Sequence, residues 1–301
     1  MIRLSDILLG GILPGILAVA ALALVWKLTK NAASSWRTAA VLSFVAGLWA
    51  LDAQGVGLST AISKSLRITE ARDFLPLMVI LATVPDAVAT SGKNGSIAGW
   101  VLRFALCGFL PWRMLAGTKY LPKNGPPLWS MGEMIAWLGG AALAIFATWL
   151  LVRAESTEKP KLRSALAAIV TLCGAITIAI SGSITYAQLM GVLTATLTGC
   201  ALGAWLLKVG RGPDAAAGPL VIAFGGIHVL AHFIAEVKLL YVVLLLVGFA
   251  VGAGWFFPRK KWSTPARCMV CLLAISVAVV MAGLDFAAAQ AEAANNPYLS
   301  L

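Results

Sequence analysis

Between positions 164 and 209 the chain runs for 46 residues with a single charged side chain, Lys208. As one helix this block would reach about 69 Å at roughly 1.5 Å per residue, more than twice the ~30 Å hydrocarbon core of a bilayer. It must fold back on itself. The small polar residues of "SGSITY", positions 181–186, supply the hairpin.

The rest of the chain has the same character. Hydrophobic residues make up 60% and charged residues 12% of the 301 positions, whereas soluble domains sit near one half and one quarter. Mean hydropathy is +0.90. The strands of a membrane barrel would show alternating segments of about 10 residues, and no such alternation is present. The expected fold class is therefore all-α, a polytopic transmembrane helical bundle of about ten helices with no soluble domain. The expected spans are 7–28, 39–58, 74–90, 97–116, 129–152, 164–181, 186–207, 218–237, 239–257 and 268–290. Arg3 ahead of the first span gives it the look of a signal peptide, but its apolar length exceeds the typical 7–15 residues of such a segment. The longest loop, 62–73, suits an amphipathic helix at the membrane surface.

Residues 218–257 pose the same length problem, and charge resolves it. With ten spans and the N-terminus outside, fourteen Lys and Arg fall in cytoplasmic loops against seven outside. With nine spans the tally is ten against ten. The positive-inside rule selects ten, with a turn at Glu236–Lys238 and both termini outside the inner (cytoplasmic) membrane. Positions 1–301 then form one integral membrane domain, divisible into five-helix halves 1–152 and 153–301, the inverted arrangement of many secondary transporters.

The net charge of +11 follows from topology and from attraction to anionic lipid headgroups. No basic stretch interleaved with aromatics reads as a nucleic-acid surface. The expected partners are the lipid bilayer and either other membrane subunits or a second copy of the chain, with no nucleic acid. Five cysteines imply no disulfide framework. Cys268 and Cys271 form a C-x-x-C at the start of a span, where packing explains them better than zinc.

The only two histidines lie in "GGIHVLAHFIAEVK", positions 225–238. His228, His232 and Glu236 recur every four residues and share one helix face. Such a histidine pair can bind a divalent metal or relay protons. It can equally hydrogen-bond within the helix packing. A metal would need a third ligand from elsewhere, such as Asp52, Asp86, Glu133 or a cysteine. The metal content is left open by the sequence, with His228 and His232 as its candidates, and no cofactor is implied. Glu236 and Lys238 belong to the turn. Asp86 and Arg103 lie at matching depth on either side of the loop that joins their spans, so they are expected to pair. An ionisable group in hydrocarbon is a functional candidate by default, and His228, His232, Asp86 and Arg103 together are the candidate intramembrane polar path. Glu133 follows Ser130 in the S-x-x-E spacing of a capping box. Gly11 with Gly15, and Gly248 with Gly252, have the spacing of close helix contacts. No catalytic or nucleotide-binding motif is present.

"WSMGEMIAWLGGAAL" opening one helix, "SGSITYAQLMGVLTATLTG" at a hairpin and "RDFLPLMVILA" after a polar loop resemble a family of uncharacterised multi-pass membrane proteins of planctomycete-type bacteria. The resemblance implies a bacterial membrane location and a helical bundle, and no activity. The residues themselves favour a small-molecule or ion permease. The alternative is a non-catalytic scaffold or accessory subunit, with an enzyme third.

Overall fold

The computed structural model describes residues 4–54, 57–67, 70–89, 93–122, 126–153, 159–254 and 264–295. Helix α1 (Leu4–Ile7) passes through a π-type turn into α2 (Leu13–Thr29), followed by α3 (Ala32–Asp52) and the short α4 (Leu58–Arg67). Then come α5 (Leu75–Leu81), α6 (Val84–Ala89), α7 (Lys93–Leu115) and α8 (Met131–Arg153). The second half holds α9 (Pro160–Ile180), α10 (Ile184–Leu206), α11 (Ala217–Phe233), α12 (Leu239–Ala253) and α13 (Thr264–Asn295). Among the described residues the only extended pairing is an isolated bridge between Ala116 and Leu121.

The fold is thus a helical bundle, and among the described residues six helical stretches are long and apolar enough to cross a membrane. They are Leu8–Thr29, Met131–Arg153, Pro160–Ile180, Ile184–Leu206, Pro213–Phe233 and Pro265–Glu292. The other four expected spans also fall on helix, but each departs from a simple crossing. Helix α3 carries Arg37 and ends on Asp52, and α7 carries Lys93, Arg103 and Arg113. Helix α12 has only 15 residues, about 22 Å at 1.5 Å per residue. The segment expected at 74–90 is two helices, α5 and α6, interrupted at Ala82 and Thr83. Pro85 causes the break: it has no N–H to offer the Leu81 carbonyl one turn earlier. At the break both the Thr83 N–H and its hydroxyl donate to the Ile80 carbonyl, at 3.1 and 2.8 Å.

Both expected turns are present. Ser181 and Gly182 close the hairpin between α9 and α10, with Gly182 at φ +97°. Between α11 and α12 the chain turns without glycine or proline, because Glu236 itself takes the left-handed conformation (φ 58°). Of the loop helix expected at 62–73, residues 62–67 belong to α4, which begins earlier, at Leu58, while 68–69 lie outside the described residues.

Close approaches of small residues set the packing. Helix α2 crosses α10 where a Cβ on Gly199 would overlap the Gly15 carbonyl oxygen, and Gly47 of α3 lies against Pro14 and Val192. Gly248 and Gly252 bring α12 against Ile275 and Cys271 of α13, and against Leu166 of α9. Gly11 has no such contact, so only Gly15 of its pair is used as expected. Cys271 donates to the Gly248 carbonyl at 3.5 Å, and both C-x-x-C cysteines are free thiols. The two halves interleave: α10 packs on α2 and α3, while α11 packs on α5, α7 and α8.

Helix α11 is the axis of the bundle. Every residue of Ala217–Phe233 is buried except His232. Two glycines allow this sheath to close. A Cβ on Gly225 would meet Ile145 at 2.8 Å, and one on Gly226 would meet Leu75 at 2.7 Å. Gly218 admits the carbonyl of Ala82 from the α5–α6 break together with the Trp149 ring.

Adding one methyl group distinguishes these contacts from ordinary helix surface. Gly199→Ala is expected to destabilise the bundle by about 1–3 kcal/mol through overpacking. Gly191→Ala, on the same helix with nothing within 4 Å of a Cβ, is expected to leave stability unchanged or raised. Thermal unfolding in mild detergent measures both, and equal midpoints for the two variants would contradict the assigned contact.

Candidate intramembrane binding site

Helices α8, α11 and α12 surround a cavity of about 290 Å³. Its walls include Trp137, Gly140 and Ala144 of α8, Gly225, His228 and His232 of α11, and an aliphatic strip of α12. The volume exists because α8 presents glycine and alanine, at Ala136, Gly140, Ala141 and Ala144, where larger side chains would fill the space. Apart from the two imidazoles and the Trp137 indole, the lining side chains are apolar. Gly140, Leu239 and Val243 line the cavity and are exposed to the outside of the bundle. The cavity therefore opens sideways between α8 and α12.

The two histidines are held by their own backbone. His228 Nδ1 lies 2.8 Å from the Phe224 carbonyl oxygen one turn back, and the ring sits 4.3 Å from the Phe224 ring. His232 Nδ1 lies 2.7 Å from the Val237 carbonyl oxygen, so this ring fastens the α11–α12 turn to the helix end. His228 is 1% exposed, and its Nε2 is buried with no hydrogen-bond partner. An unpartnered buried polar atom costs about 1–3 kcal/mol, and in a native structure it calls for an explanation. His232 is half-buried against Trp137 and Phe233.

Asp86 and Arg103 do form a pair, as their matched depths predict: Arg103 Nη2 donates to Asp86 Oδ1 at 2.9 Å, with Arg103 fully buried. Arg153 approaches the same carboxylate at 3.5 Å, and the Arg103 guanidinium lies 5.6 Å from the Trp100 ring. This group ties α6, α7 and α8 together. Neither Asp86 nor Arg103 lines the histidine cavity, so the four residues of the expected polar path divide into two separate groups.

A second charged group was hidden in the sequence among the loop arginines. Arg163, 5% exposed, donates from Nε and Nη2 to the Ala253 carbonyl at 2.9 and 2.7 Å, and from Nη2 to the Val152 carbonyl at 3.3 Å. Its Nη1 donates to Asp214 at 3.2 Å, and Arg211 holds the other oxygen of that carboxylate, also at 3.2 Å. Arg163 thus places a cation at the C-terminal ends of α8 and α12, where the helix dipoles favour one. A positive residue at a span boundary carries a topology signal, and nothing in the sequence marks it as buried.

The remaining candidates are structural. Glu133 accepts the Ser130 N–H at 2.9 Å while Ser130 Oγ accepts the Glu133 N–H at 3.3 Å, which is the expected capping box of α8. Asp52 lies 3.8 Å from Arg72. Glu236 is exposed and meets Lys119 at 3.4 Å, a hydrogen bond that raises the lysine's pKa above its ordinary value. Among the described residues no three His, Cys, Asp or Glu side chains are grouped to hold a metal ion.

The buried ion pair is a sharp test of the α6–α7–α8 arrangement. Asp86→Asn leaves the Arg103 charge buried without its carboxylate and is expected to cost about 3–5 kcal/mol. Adding Arg103→Met removes the stranded charge and is expected to recover most of that loss in equilibrium unfolding. A double variant no more stable than the single would show that the pair does not act as a unit.

No protein-family model matches this chain, and neither do the curated proteins or the solved structures compared with it, so its function is argued from its own residues.

Proposed function

We propose that this protein is a permease-like membrane bundle, ten spans in an inner membrane with both termini outside, that takes small and mainly apolar molecules into the α8–α11–α12 cavity. The observation that carries this reading is an otherwise apolar cavity, lined by His228, His232 and Trp137, whose wall reaches the outside of the bundle at Gly140, Leu239 and Val243. Pockets for small molecules combine apolar walls with a few placed polar groups, and here those groups come from the two histidines and Trp137. The interrupted α5–α6 segment packed on α11 also fits this class, since transporters commonly place discontinuous helices beside the binding site. Among the two forms of the permease reading, a small molecule fits better than an ion. The cavity wall carries no carboxylate, and Asp86 is matched by arginines away from it.

The accessory-subunit reading draws on a different feature, an open groove of about 700 Å³ along α2, α9 and α10. Gly11, Gly15, Gly191 and Gly199 line it, and small residues of this kind let another membrane helix approach closely.

Gly140 gives the permease reading its test, because a side chain there meets open space on the cavity wall. Wild-type protein in lipid nanodiscs is expected to bind naphthalene at about one molecule per chain, and Gly140→Leu to lose that binding. In proteoliposomes, benzamide, whose amide slows its passive leak, is expected to show a saturable uptake component that the same variant lacks. Naphthalene binding no greater than in empty nanodiscs would refute the cavity as a site. Identical benzamide uptake by wild type and variant would refute the permease function.

A further inference from the structure

The α8–α11–α12 cavity is graded along its length. Its end beside the α11–α12 turn is lined by Trp137 and His232, whereas the far end is apolar, at Ala144, Ile145, Gly225 and Leu246. Access is graded in the same direction. Gly140, Leu239 and Val243, toward the turn, are exposed, while Ile145 and Gly225 at the far end are buried. The turn itself marks a water boundary. Glu236, Lys238 and Lys119 are exposed there, and Tyr120, Trp129 and Trp137 cluster at the same level, as aromatic residues do at membrane interfaces. Leu239 opens α12 and Val243 follows four residues later, about 6 Å at 1.5 Å per residue. The mouth therefore falls within one leaflet, whose hydrocarbon is about 15 Å deep.

From this we propose that the cavity takes single-chain amphiphiles with a small uncharged head, loaded sideways from the leaflet that borders the α11–α12 turn, head toward the turn and chain toward Ile145 and Gly225. The proposal rests on the cavity being a binding site and specifies the class and orientation of its ligand. An amphiphile in that leaflet already lies head outward and chain inward, so it enters without inverting. In the reverse orientation its head would be buried against apolar wall without a partner. The lining runs from Gly225 to Phe233 on α11 and from Ala136 to Ile145 on α8, about 12–14 Å at 1.5 Å per residue. Carbon–carbon bond lengths and angles advance an extended chain about 1.25 Å per carbon, so a chain of about ten carbons fits. The cations at the head end are already matched, Lys119 by Glu236 at 3.4 Å and Lys238 by Asp285 at 2.7 Å. Among the described residues no lysine, arginine or carboxylate lines the cavity, which favours an uncharged head.

Two photoreactive decanols read the orientation, one with a diazirine at the chain end and one with it beside the hydroxyl. Each is photolysed with the full chain in lipid nanodiscs, with and without excess naphthalene, and the adducts are located by peptide mass spectrometry. The chain-end probe is expected to mark Ala144, Ile145 or Leu246, and the hydroxyl-side probe Trp137, His232 or Leu239, with naphthalene suppressing both. Reversed or coincident adducts would overturn the orientation and leave the cavity standing as a site. Absence of naphthalene-sensitive adducts, in protein that still binds naphthalene, would overturn the amphiphile alone. Failure of naphthalene itself to bind would overturn both. Decanoate that suppressed the adducts as well as unlabelled decanol does, at equal membrane content, would overturn the uncharged head.

Discussion

The Arg163 guanidinium donates to carbonyl oxygens that end two helices and to a carboxylate in the segment leading into a third. Carbonyls at a helix end have no partner within their own helix, and in apolar surroundings water does not supply one. One planar group with five donors satisfies two such ends together and fixes where α8 and α12 stop relative to α11. The sheath around α11 depends on that arrangement. At the opposite end of α11 the closure is aromatic and polar instead: Phe233 packs on Tyr120 and Trp129, and His232 holds the Val237 carbonyl. The cavity lies against the second of these fastenings, where α8 offers glycine and alanine that do not fill the space.

How much of this could be read from the sequence depends on the distance over which each feature is determined. Local features were legible. The hairpin at Ser181 and Gly182, the capping box of Ser130 and Glu133, and the turn at Glu236–Lys238 each follow from a few neighbouring residues or from charge counted loop by loop. The Asp86–Arg103 pair was legible for a similar reason, because a short loop puts equal residue counts at equal depth. Arg163 was not, since its acceptors come from three distant segments and a loop arginine normally reports only topology. The break in α5–α6 had its cause in view at Pro85, yet an apolar run with proline reads as a kinked span as readily as a broken one. The cavity was the least legible feature. Ala136, Gly140 and Ala144 look like packing residues one at a time, and only their convergence on one face of α8 leaves space.

The histidine pair shows how the same residues change meaning once their backbone contacts are known. In sequence, His228, His232 and Glu236 form a row of three ionisable groups on one helix face. In the structure the row is divided by the end of α11: Glu236 sits exposed in the turn, His232 fastens that turn, and only His228 is enclosed. Its Nδ1 is already used, and its Nε2 is buried without a partner.

A mouth between α8 and α12 has a consequence for what the cavity can discriminate. A molecule arriving from the acyl chains has already left water, so moving it into apolar walls exchanges one hydrocarbon environment for another and gains little of the usual ~25 cal/mol per Å². Under the proposed function the membrane would do the concentrating, in proportion to each molecule's oil solubility, before the protein is reached. Apolar area then cannot sort one lipid-soluble compound from another except by fit. The one contact that lipid tails cannot imitate is a hydrogen bond, and in this cavity the side chains able to make one are those of His228, His232 and Trp137.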